Sequence, residues 1–370
     1  MTAARTAFFT DEQCFWHGGG DYAFLVPVGG LVQPMIGGLP ESPESKRRLV
    51  NLLERTGLKD ELAVRSALPA TDEMLRRVHD LAYLGEFKRL SDAGGGELGE
   101  RTPFGPGGFE IAALSAGLAV EALRSVLGGE TGNAYALCRP PGHHCLPARP
   151  MGFCLLANIA VAVETAFAER RAERIAVVDW DVHHGNGTEA IFWRRKDVLT
   201  VSLHQENNYP RPSGGVEMRG EGEGEGYNIN VPLLPGGGHD AYLYAFERIV
   251  RPALARYRPD AIVVACGFDA SGVDPLGRMM ASAATFRRMT RMLMQSAREL
   301  CGGRLVLMHE GGYSEVHVPF CGHQVLEEMT HSAIHAPDPL EERIGGQQPN
   351  QRQRAFQRGL INEMAEYFLL

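Results

Sequence analysis

The sequence has few cysteines and no long hydrophobic run. Its cysteines are odd in number and include no C-x-x-C pair, so we expect neither a disulfide framework nor a zinc site built from thiolates. They are Cys14, Cys138, Cys145, Cys154, Cys266, Cys301 and Cys321. No stretch approaches the roughly 20 consecutive apolar residues of a membrane span. The first residues, MTAARTAFFTDEQ, carry Asp and Glu where a signal peptide needs an apolar core. These absences predict a cytoplasmic protein without a membrane partner.

An excess of positive charge is also missing. The chain has 37 Lys and Arg against 45 Asp and Glu, a formal net charge of −8, which argues against nucleic-acid binding through the overall field. There is no internal repeat or low-complexity tract. The nearest is GEGEGEG at 220–226. It imitates a dinucleotide fingerprint, but it does not connect a strand to a helix and its glutamates would repel a pyrophosphate, so we expect a surface loop.

Short apolar runs alternate with helical stretches in the later part of the chain. The runs are AYALC, RIAVVDWD, DVLTVSLH, AIVVACGFD and RLVLMHEGG. Between them, apolar residues recur every three or four positions, as in AYLYAFERIVRPALARY, which indicates helices. This alternation predicts a mostly parallel sheet covered by helices on both faces. We therefore expect a single three-layer α/β/α domain over 1–370, with a loop-rich segment at 1–45 and a helix-containing tail at 334–370.

Each of these strands ends in unusual polar residues. The segments that follow or end them are RPPGHH, D-x-H-H, His204, GFDAS and EGGY. In an open parallel sheet the carboxyl ends of the strands share one edge, and ligands bind in the crevice there. We expect the active site at that edge.

The segment VVDWDVHHGNGTE at 177–189 places charged groups and imidazoles at the end of an apolar strand, where burial is costly without a partner. Asp181 and His183 are two positions apart in an extended segment, so both point to one side. Asp269, after a different strand, adds a second carboxylate. Such oxygen and nitrogen donors predict an open, catalytic divalent-metal site that fits Zn²⁺, with Fe²⁺, Co²⁺ or Mn²⁺ as alternatives.

Two adjacent histidines, His143 and His144, follow a rigid turn that directs them into the same crevice. Beside a metal, each needs an acceptor that sets its tautomer and basicity, and Asp179 and Asn186 are the candidates. If one imidazole faces the carboxylate and the other faces the amide, their pKa values separate. Two identical side chains could then divide the roles of acid and base.

Tyr313 follows two glycines in EGGY. Gly311 and Gly312 allow the backbone to approach a ligand closely, and the phenol could donate to an oxyanion while a metal polarises the same oxygen. The metal ligands, the histidine pair and the phenol together predict hydrolysis of a carbonyl compound by a metal-activated water.

Several of these segments also occur together in a known family. RPPGHH, MGFC, DWDVHHGNGTE, GFDAS with DPLG shortly after it, and EGGY, in this order, resemble the arginase/deacetylase superfamily. They resemble most closely the class II histone deacetylases and the bacterial histone deacetylase-like amidohydrolases. The likeness covers roughly residues 70 to 325 and implies the arginase/deacetylase fold.

The resemblance implies a role for each residue of the site. His144 would act as general base and then as general acid, His143 would assist electrostatically, and Tyr313 would polarise the acyl oxygen. The ligands of one Zn²⁺ per chain would be Asp181, His183 and Asp269.

The resemblance also implies bound K⁺. Near the zinc, one site would use oxygens of Asp179, Asp181, His183, Ser202 and Leu203. A second site would use mainly the carbonyl groups of Phe192, Arg195, Val198 and Tyr227.

The same likeness predicts the residues that bind the substrate. Gly152 and Phe153 match one wall of an acyl-lysine tunnel, and Tyr209 stands where the opposite wall usually has Phe. The rim carboxylate of the family has no clear counterpart in GGGELGERTPFG, where Glu97 and Glu100 are the candidates.

We therefore expect a zinc-dependent amidohydrolase that removes an acetyl or other acyl group from the Nε atom of lysine, in a peptide or protein, or from a similar linear amine. One alternative is an acetylpolyamine amidohydrolase, for which the GEGEGEG loop, Glu97 and Glu100 could form an acidic entrance. Another is a non-catalytic acyl-lysine-binding protein, against which the complete set of catalytic residue types argues. Since relatives form homo-oligomers, we also expect self-association, with the 1–45 segment and the C-terminal tail as candidate contact surfaces.

Overall fold

The computed structural model describes residues 5–33, 35 and 37–370. The strands are β1 (Ala7–Phe9), β2 (Tyr22–Ala23), β3 (Val26–Pro27), β4 (Ala63–Arg65), β5 (Gly96–Glu97), β6 (Pro103–Phe104), β7 (Asn133–Ala136), β8 (Ile175–Asp179), β9 (Val198–Gln205), β10 (Asn228–Leu233), β11 (Ala261–Cys266) and β12 (Leu305–His309). The helices are α1 (Glu44–Thr56), α2 (Asp72–Leu75), α3 (Leu81–Asp92), α4 (Gly108–Leu127), α5 (Asn158–Ala168), α6 (Asn186–Phe192), α7 (His239–Ala245), α8 (Arg251–Tyr257), α9 (Ala283–Cys301), α10 (Val318–Thr330), α11 (Glu341–Gly346) and α12 (Gln351–Tyr367).

Eight strands form one central sheet in the order β10-β9-β8-β11-β12-β7-β1-β4. Every neighbouring pair in it is parallel, so the predicted mostly parallel sheet is confirmed. The remaining strands form two short antiparallel pairs, β2 with β3 and β5 with β6.

Helices cover both faces of the sheet. In β8, Ile175 and Val177 pack in one buried cluster with α4 and α5, whereas Ala176 and Val178 pack in the other with α9 and α10. Because successive side chains of a strand point to opposite faces, a strand buried on both sides reads as a continuous apolar run. This explains the sequence of β8 and confirms the three-layer α/β/α prediction.

The central sheet contains three strands that the sequence analysis did not predict: β1, β4 and β10. Within the segment at 1–45, which we expected to be loop-rich, β1 pairs with both β7 and β4. A strand of three residues is too short to show a period. Residues 1–4, 34 and 36 of that segment lie outside the described residues. The tail contains α11 and α12, and α12 begins with a capping box at Asn350.

The GEGEGEG segment lies at the end of the sheet opposite to the polar strand ends. Glu225 and Gly226 line a cavity together with Arg174, which precedes β8, and Lys196, which precedes β9. Glu223 pairs with Lys196 at 2.9 Å. The loop therefore cannot form the acidic entrance that the polyamine alternative requires. Among the described residues, no helix is both long and apolar enough to cross a membrane.

Candidate active site

The predicted site lies where the strand order reverses. From β8 the chain continues to β9 and β10 on one side of the sheet, whereas β11 leads to β12 on the other. Neighbouring loops diverge at such a point and leave a crevice at the carboxyl ends of the strands. Asp181 follows β8, Asp269 follows β11 and Tyr313 follows β12. The topology thus brings together residues that are distant in sequence.

Asp181, His183 and Asp269 form a buried cluster. His183 Nδ1 lies 3.0 Å from Asp181 Oδ1 and 3.1 Å from Asp269 Oδ2. One ligand atom from each residue lies within 4.8 Å of the other two. These atoms surround a common point, as the ligands of a divalent cation do.

Backbone groups hold the second oxygen of each carboxylate. Gly311 N donates to Asp181 Oδ2 at 2.8 Å, and Val182 N donates to Asp269 Oδ1 at 2.8 Å. Asp181 Oδ1 and Asp269 Oδ2 therefore remain turned towards His183. Ligands oriented by such outer contacts are typical of built metal sites, and this donor set fits a Zn²⁺ ion.

The electrostatics of the two carboxylates also call for a cation. Burial and the charge of Asp181 raise the pKa of Asp269 to about 6. Burial opposes ionisation of Asp181 too, but His143 and His183 hold its pKa well below the usual range. Two buried carboxylates that share one imidazole repel each other unless positive charge offsets them. A divalent ion would supply that charge.

His143 and His144 have different partners, which is the arrangement that would separate their pKa values. His143 Nδ1 lies 3.0 Å from Asp179 Oδ2, and His144 Nδ1 lies 2.8 Å from Asn186 Oδ1. Burial would lower the pKa of His143, but Asp181 and Asp179 outweigh it and raise the pKa to about 10. The pKa of His144 lies well below the usual value because of burial and its neighbours His143 and His183.

Two carboxylates that the sequence analysis did not single out hold the loops of the site. Glu310 Oε2 accepts hydrogen bonds from Gly142 N at 2.7 Å and His143 N at 3.0 Å. Asp274 Oδ2 accepts one from Tyr313 N at 2.8 Å. Both lie inside motifs already recognised, EGGY and DPLG. An acidic residue beside a functional loop was the available signal.

The predicted tunnel residues line a cavity of about 220 Å³ that reaches His144, His183 and Tyr313. Gly152 and Phe153 form part of its wall. Tyr209 also lines it, with its ring perpendicular to that of His144 and the centroids 5.0 Å apart. A Cβ atom on Gly152 would lie 2.5 Å from His144 Cδ2 and 2.8 Å from Tyr209 Cε1. Only glycine allows the wall to approach this closely.

Comparison with known proteins agrees with this geometry. The family pattern described as the histone deacetylase domain matches residues 39–329. The chain belongs to the histone deacetylase family. The family assignment made from the sequence motifs is confirmed, and membership makes the chain a hydrolase of the deacetylase and amidohydrolase type.

Three relatives illustrate the range of similarity within the histone deacetylase family. A histone deacetylase-like amidohydrolase of Pseudomonas aeruginosa is 58% identical over 365 residues, which cover 98% of this chain and 96% of the relative. A probable deacetylase of Archaeoglobus fulgidus is 35% identical over 81% of this chain and 85% of its own. The crystal structure of the HDA15 HD domain superposes with a TM-score of 0.83 at 31% identity and covers 99% of this chain and 97% of that one.

Neither candidate for the family's rim carboxylate lines the cavity. Glu97 Oε1 accepts hydrogen bonds from Tyr22 Oη at 2.6 Å and Thr102 N at 3.0 Å, so it ties two loops together. Glu100 pairs with Arg101 at 3.2 Å. Arg101 lines the cavity, and the carbonyl of Glu100 accepts a hydrogen bond from Gly152 N in its wall at 2.9 Å. Which carboxylate forms the rim stays a prediction.

The residues of the two predicted potassium sites have unequal support. Asp179 is directly opposite Ser202 across β8 and β9, and Leu203 follows Ser202 in β9. These three residues of the first predicted site therefore lie close together. In the second, the carbonyl of Phe192 already accepts from Arg195 N at 2.9 Å, and that of Tyr227 from Thr200 N at 2.9 Å. Both sites remain predictions.

A larger cavity of about 540 Å³ lies on the other side of the Tyr209 segment, lined by Asn207, Gly215 and residues of α12 such as Leu360. It contains none of the predicted site residues. Its size therefore does not make it the active site, since the hydrolytic groups converge on the smaller cavity.

Proposed function

We propose that this member of the histone deacetylase family is a Zn²⁺-dependent deacylase that hydrolyses the side-chain amide of an Nε-acyl-lysine in a peptide or protein. One observation carries the proposal. The cluster of Asp181, His183 and Asp269 and the amide-paired His144 meet at a cavity narrow enough for a linear side chain.

Asp181, His183 and Asp269 would hold the ion. When bound there, Zn²⁺ supplies Lewis acidity that polarises the acyl carbonyl and lowers the pKa of a water molecule. His144 is the general base, because its low pKa keeps it neutral at physiological pH. Its Nδ1 is held by Asn186, so Nε2 takes the proton from the attacking water.

The other polar groups of the cavity stabilise the charge that develops on the acyl oxygen. The Tyr313 phenol donates a hydrogen bond to this oxygen. His143, paired with Asp179, keeps its proton and contributes positive charge. His144 then returns its proton to the leaving amine. The second proton of the water also passes to the amine, so the products are a carboxylate and an ammonium group.

The lining of the cavity favours acyl-lysine over an acylated polyamine. None of the described residues that line it is Asp or Glu, and Arg101 is cationic. A free polyamine carries further positive charges near the scissile amide, which an acid-lined entrance would have to accommodate. A lysine side chain brings only its neutral acylated end into the cavity.

Three further expectations belong to this proposal. One K⁺ would bind beside Asp179 and Ser202. Self-association would use exposed apolar side chains of the N-terminal segment, such as Trp16, which is 76% exposed, and Leu31, which is fully exposed. A cytoplasmic location stays a prediction from the sequence.

The deciding experiment is turnover of an Nε-acetyl-lysine peptide, its trifluoroacetyl analogue and N-acetylputrescine by zinc-loaded and metal-free protein. We expect metal-dependent cleavage of the two lysine substrates. Preference for N-acetylputrescine would instead assign the protein to the hydrolysis of acetylated polyamines. Absence of all cleavage by the zinc-loaded protein would contradict the assignment of the catalytic groups.

A further inference from the structure

A second group of metal-binding atoms lies beside the histidine pair. It consists of His143, Cys154 and Glu310, with one ligand atom from each within 4.8 Å of the others. All three residues are buried, and none belongs to the proposed zinc ligands. Imidazole, thiolate and carboxylate together form a donor set that Zn²⁺ and other thiophilic ions favour.

Glu310 has an oxygen without a partner in this group. Its Oε2 accepts the two backbone hydrogen bonds from Gly142 and His143. Its Oε1 is buried and has no hydrogen-bond partner. Glu310 itself is 0% exposed. A buried carboxylate oxygen without a donor is costly, and a bound ion is one of the arrangements that satisfies such an atom.

The other two side chains also have capacity to bind. The Nδ1 atom of His143 contacts Asp179, so Nε2 is the ring nitrogen left for a metal. It lies 3.8 Å from Asp181 Oδ1. The Sγ atom of Cys154 accepts a hydrogen bond from His144 N at 3.4 Å, and its thiol donates one to Gly152 O at 3.4 Å. Metal binding would replace the thiol proton and therefore only the second of these contacts.

The charges of the ligands suit a divalent cation at this depth. The thiol of Cys154 must lose its proton to bind a metal. Its thiolate and the carboxylate of Glu310 then carry two negative charges, which offset the charge of a divalent ion.

We propose that His143, Cys154 and Glu310 form a second divalent-cation site that takes Zn²⁺ or Cd²⁺ and inhibits hydrolysis when it is occupied. The site departs from the expectation that the scattered cysteines bind no zinc, because its ligands come from three distant segments and not from a C-x-x-C pair. Its inhibitory effect rests on the proposed function, since an ion on Nε2 of His143 would occupy the nitrogen that faces Asp181 and the reacting groups. Its binding does not.

The test is a Cd²⁺ titration of the metal-free full-length protein. The readout is the ultraviolet charge-transfer absorption of a thiolate–cadmium bond, measured at each addition. Asp181, His183 and Asp269 contain no sulfur, so Cd²⁺ there gives no such band. We expect two bound Cd²⁺ per chain, with the band rising with one of them. An absent band at full occupancy, or a single bound ion, would overturn the proposal.

Matched variants assign the band. Cys154→Ser should abolish it and leave one Cd²⁺ bound, whereas Cys145→Ser, which alters a neighbouring buried cysteine outside the cluster, should keep it. Asp269→Asn should lower the affinity of the site formed with Asp181 and His183, and the band should remain. A band that survives Cys154→Ser would contradict the site.

If circular dichroism shows that Cys154→Ser does not fold, Glu310→Gln is the second variant. It should lower the affinity for the ion that gives the band at least about tenfold. An unchanged affinity would overturn the assignment.

Turnover then tests inhibition separately. Activity of the zinc-loaded protein should fall as a second equivalent of Zn²⁺ binds, and the fractional loss should be smaller for Cys154→Ser than for Cys145→Ser. A normal charge-transfer band without inhibition would retain the site and refute its effect on hydrolysis. Failure of the first equivalent to support any turnover would instead count against the proposed function.

Discussion

His143 and His144 lie side by side, with ring centroids 4.0 Å apart, yet their Nδ1 atoms face a carboxylate and an amide respectively. Burial and the charges of His143 and His183 lower the pKa of His144. For His143, the carboxylates of Asp181 and Asp179 outweigh burial and raise the pKa. A protonated and a neutral imidazole can therefore coexist at one pH. The backbone alone could not achieve this, because the two residues are adjacent in one turn.

Asn186→Asp should shift the pH dependence of catalysis. Because the pKa of His144 is low, the imidazole is a neutral base at neutral pH. It becomes protonated, and the base is lost, only as the pH falls through that pKa. A carboxylate at position 186 would raise this pKa, so more of the base is protonated at any given pH. We expect the acidic limb of kcat/KM to move to higher pH. An unmoved limb in a folded variant would show that His144 is not the base.

Tyr313→Phe should lower kcat by about 10²-fold or more, the usual loss for one oxyanion donor, without loss of bound metal. Burial and the charges of Asp269 and Asp181 raise the pKa of Tyr313 well above its usual range, so the phenol keeps its proton and can donate. Turnover and metal content should be measured on the same sample. Near-normal turnover would refute the role of the hydroxyl.

Gly311→Ala should weaken metal binding. An added Cβ would lie 2.1 Å from Asp269 Oδ2 and 2.6 Å from Asp181 Oδ2, and would displace the two carboxylates that face the ion. We expect a loss of about 10- to 100-fold in metal affinity, as for disturbed outer contacts, measured by competition with a chelator. Gly85→Ala is the matched control, because nothing lies within 4 Å of its Cβ position. Equal affinities in the two variants would count against the proposed ligands.

Glu41→Gln should destabilise the fold. Glu41 Oε1 lies 3.0 Å from Arg139 Nε and 3.1 Å from Lys46 Nζ, and all three side chains are buried. Removal of this shared charge leaves two buried cations, which typically costs about 3–5 kcal/mol. Urea denaturation should measure the change in the free energy of unfolding. Glu130→Gln breaks only the exposed pair with Arg65 and should cost at most about 1 kcal/mol.

Much of the architecture followed from local patterns. The five predicted strands are β7, β8, β9, β11 and β12, because each is buried on both faces and therefore reads as an apolar run. β1 and β4 have three residues each, too few for any period. β10 begins with Asn228 and includes Asn230 and Pro232. These residues disfavour strands, but the two asparagines bind Glu189, a partner distant in sequence.

The site likewise has a part that the sequence predicted and a part that it did not. Its histidines, carboxylates and tyrosine were predicted because their chemistry is conspicuous after apolar strands, and a shared sheet edge requires them to meet. The residue of this loop that lines the cavity could not be predicted from the sequence. Glu97 and Arg101 are only a few positions apart, and which of them reaches the cavity depends on how the loop folds against Tyr22.

The sequence by itself determined the layered parallel sheet, the edge that carries the site and the family. Buried strands appear as apolar runs, helices as apolar residues every three or four positions, and parallel strands place their polar ends at one edge. Only the tertiary structure decided which atoms face one another: His144 with Asn186, Gly311 with Asp181, and Cys154 with Glu310 and His143. Such contacts join segments up to 156 residues apart, as between Cys154 and Glu310, and no local pattern encodes a distance between them.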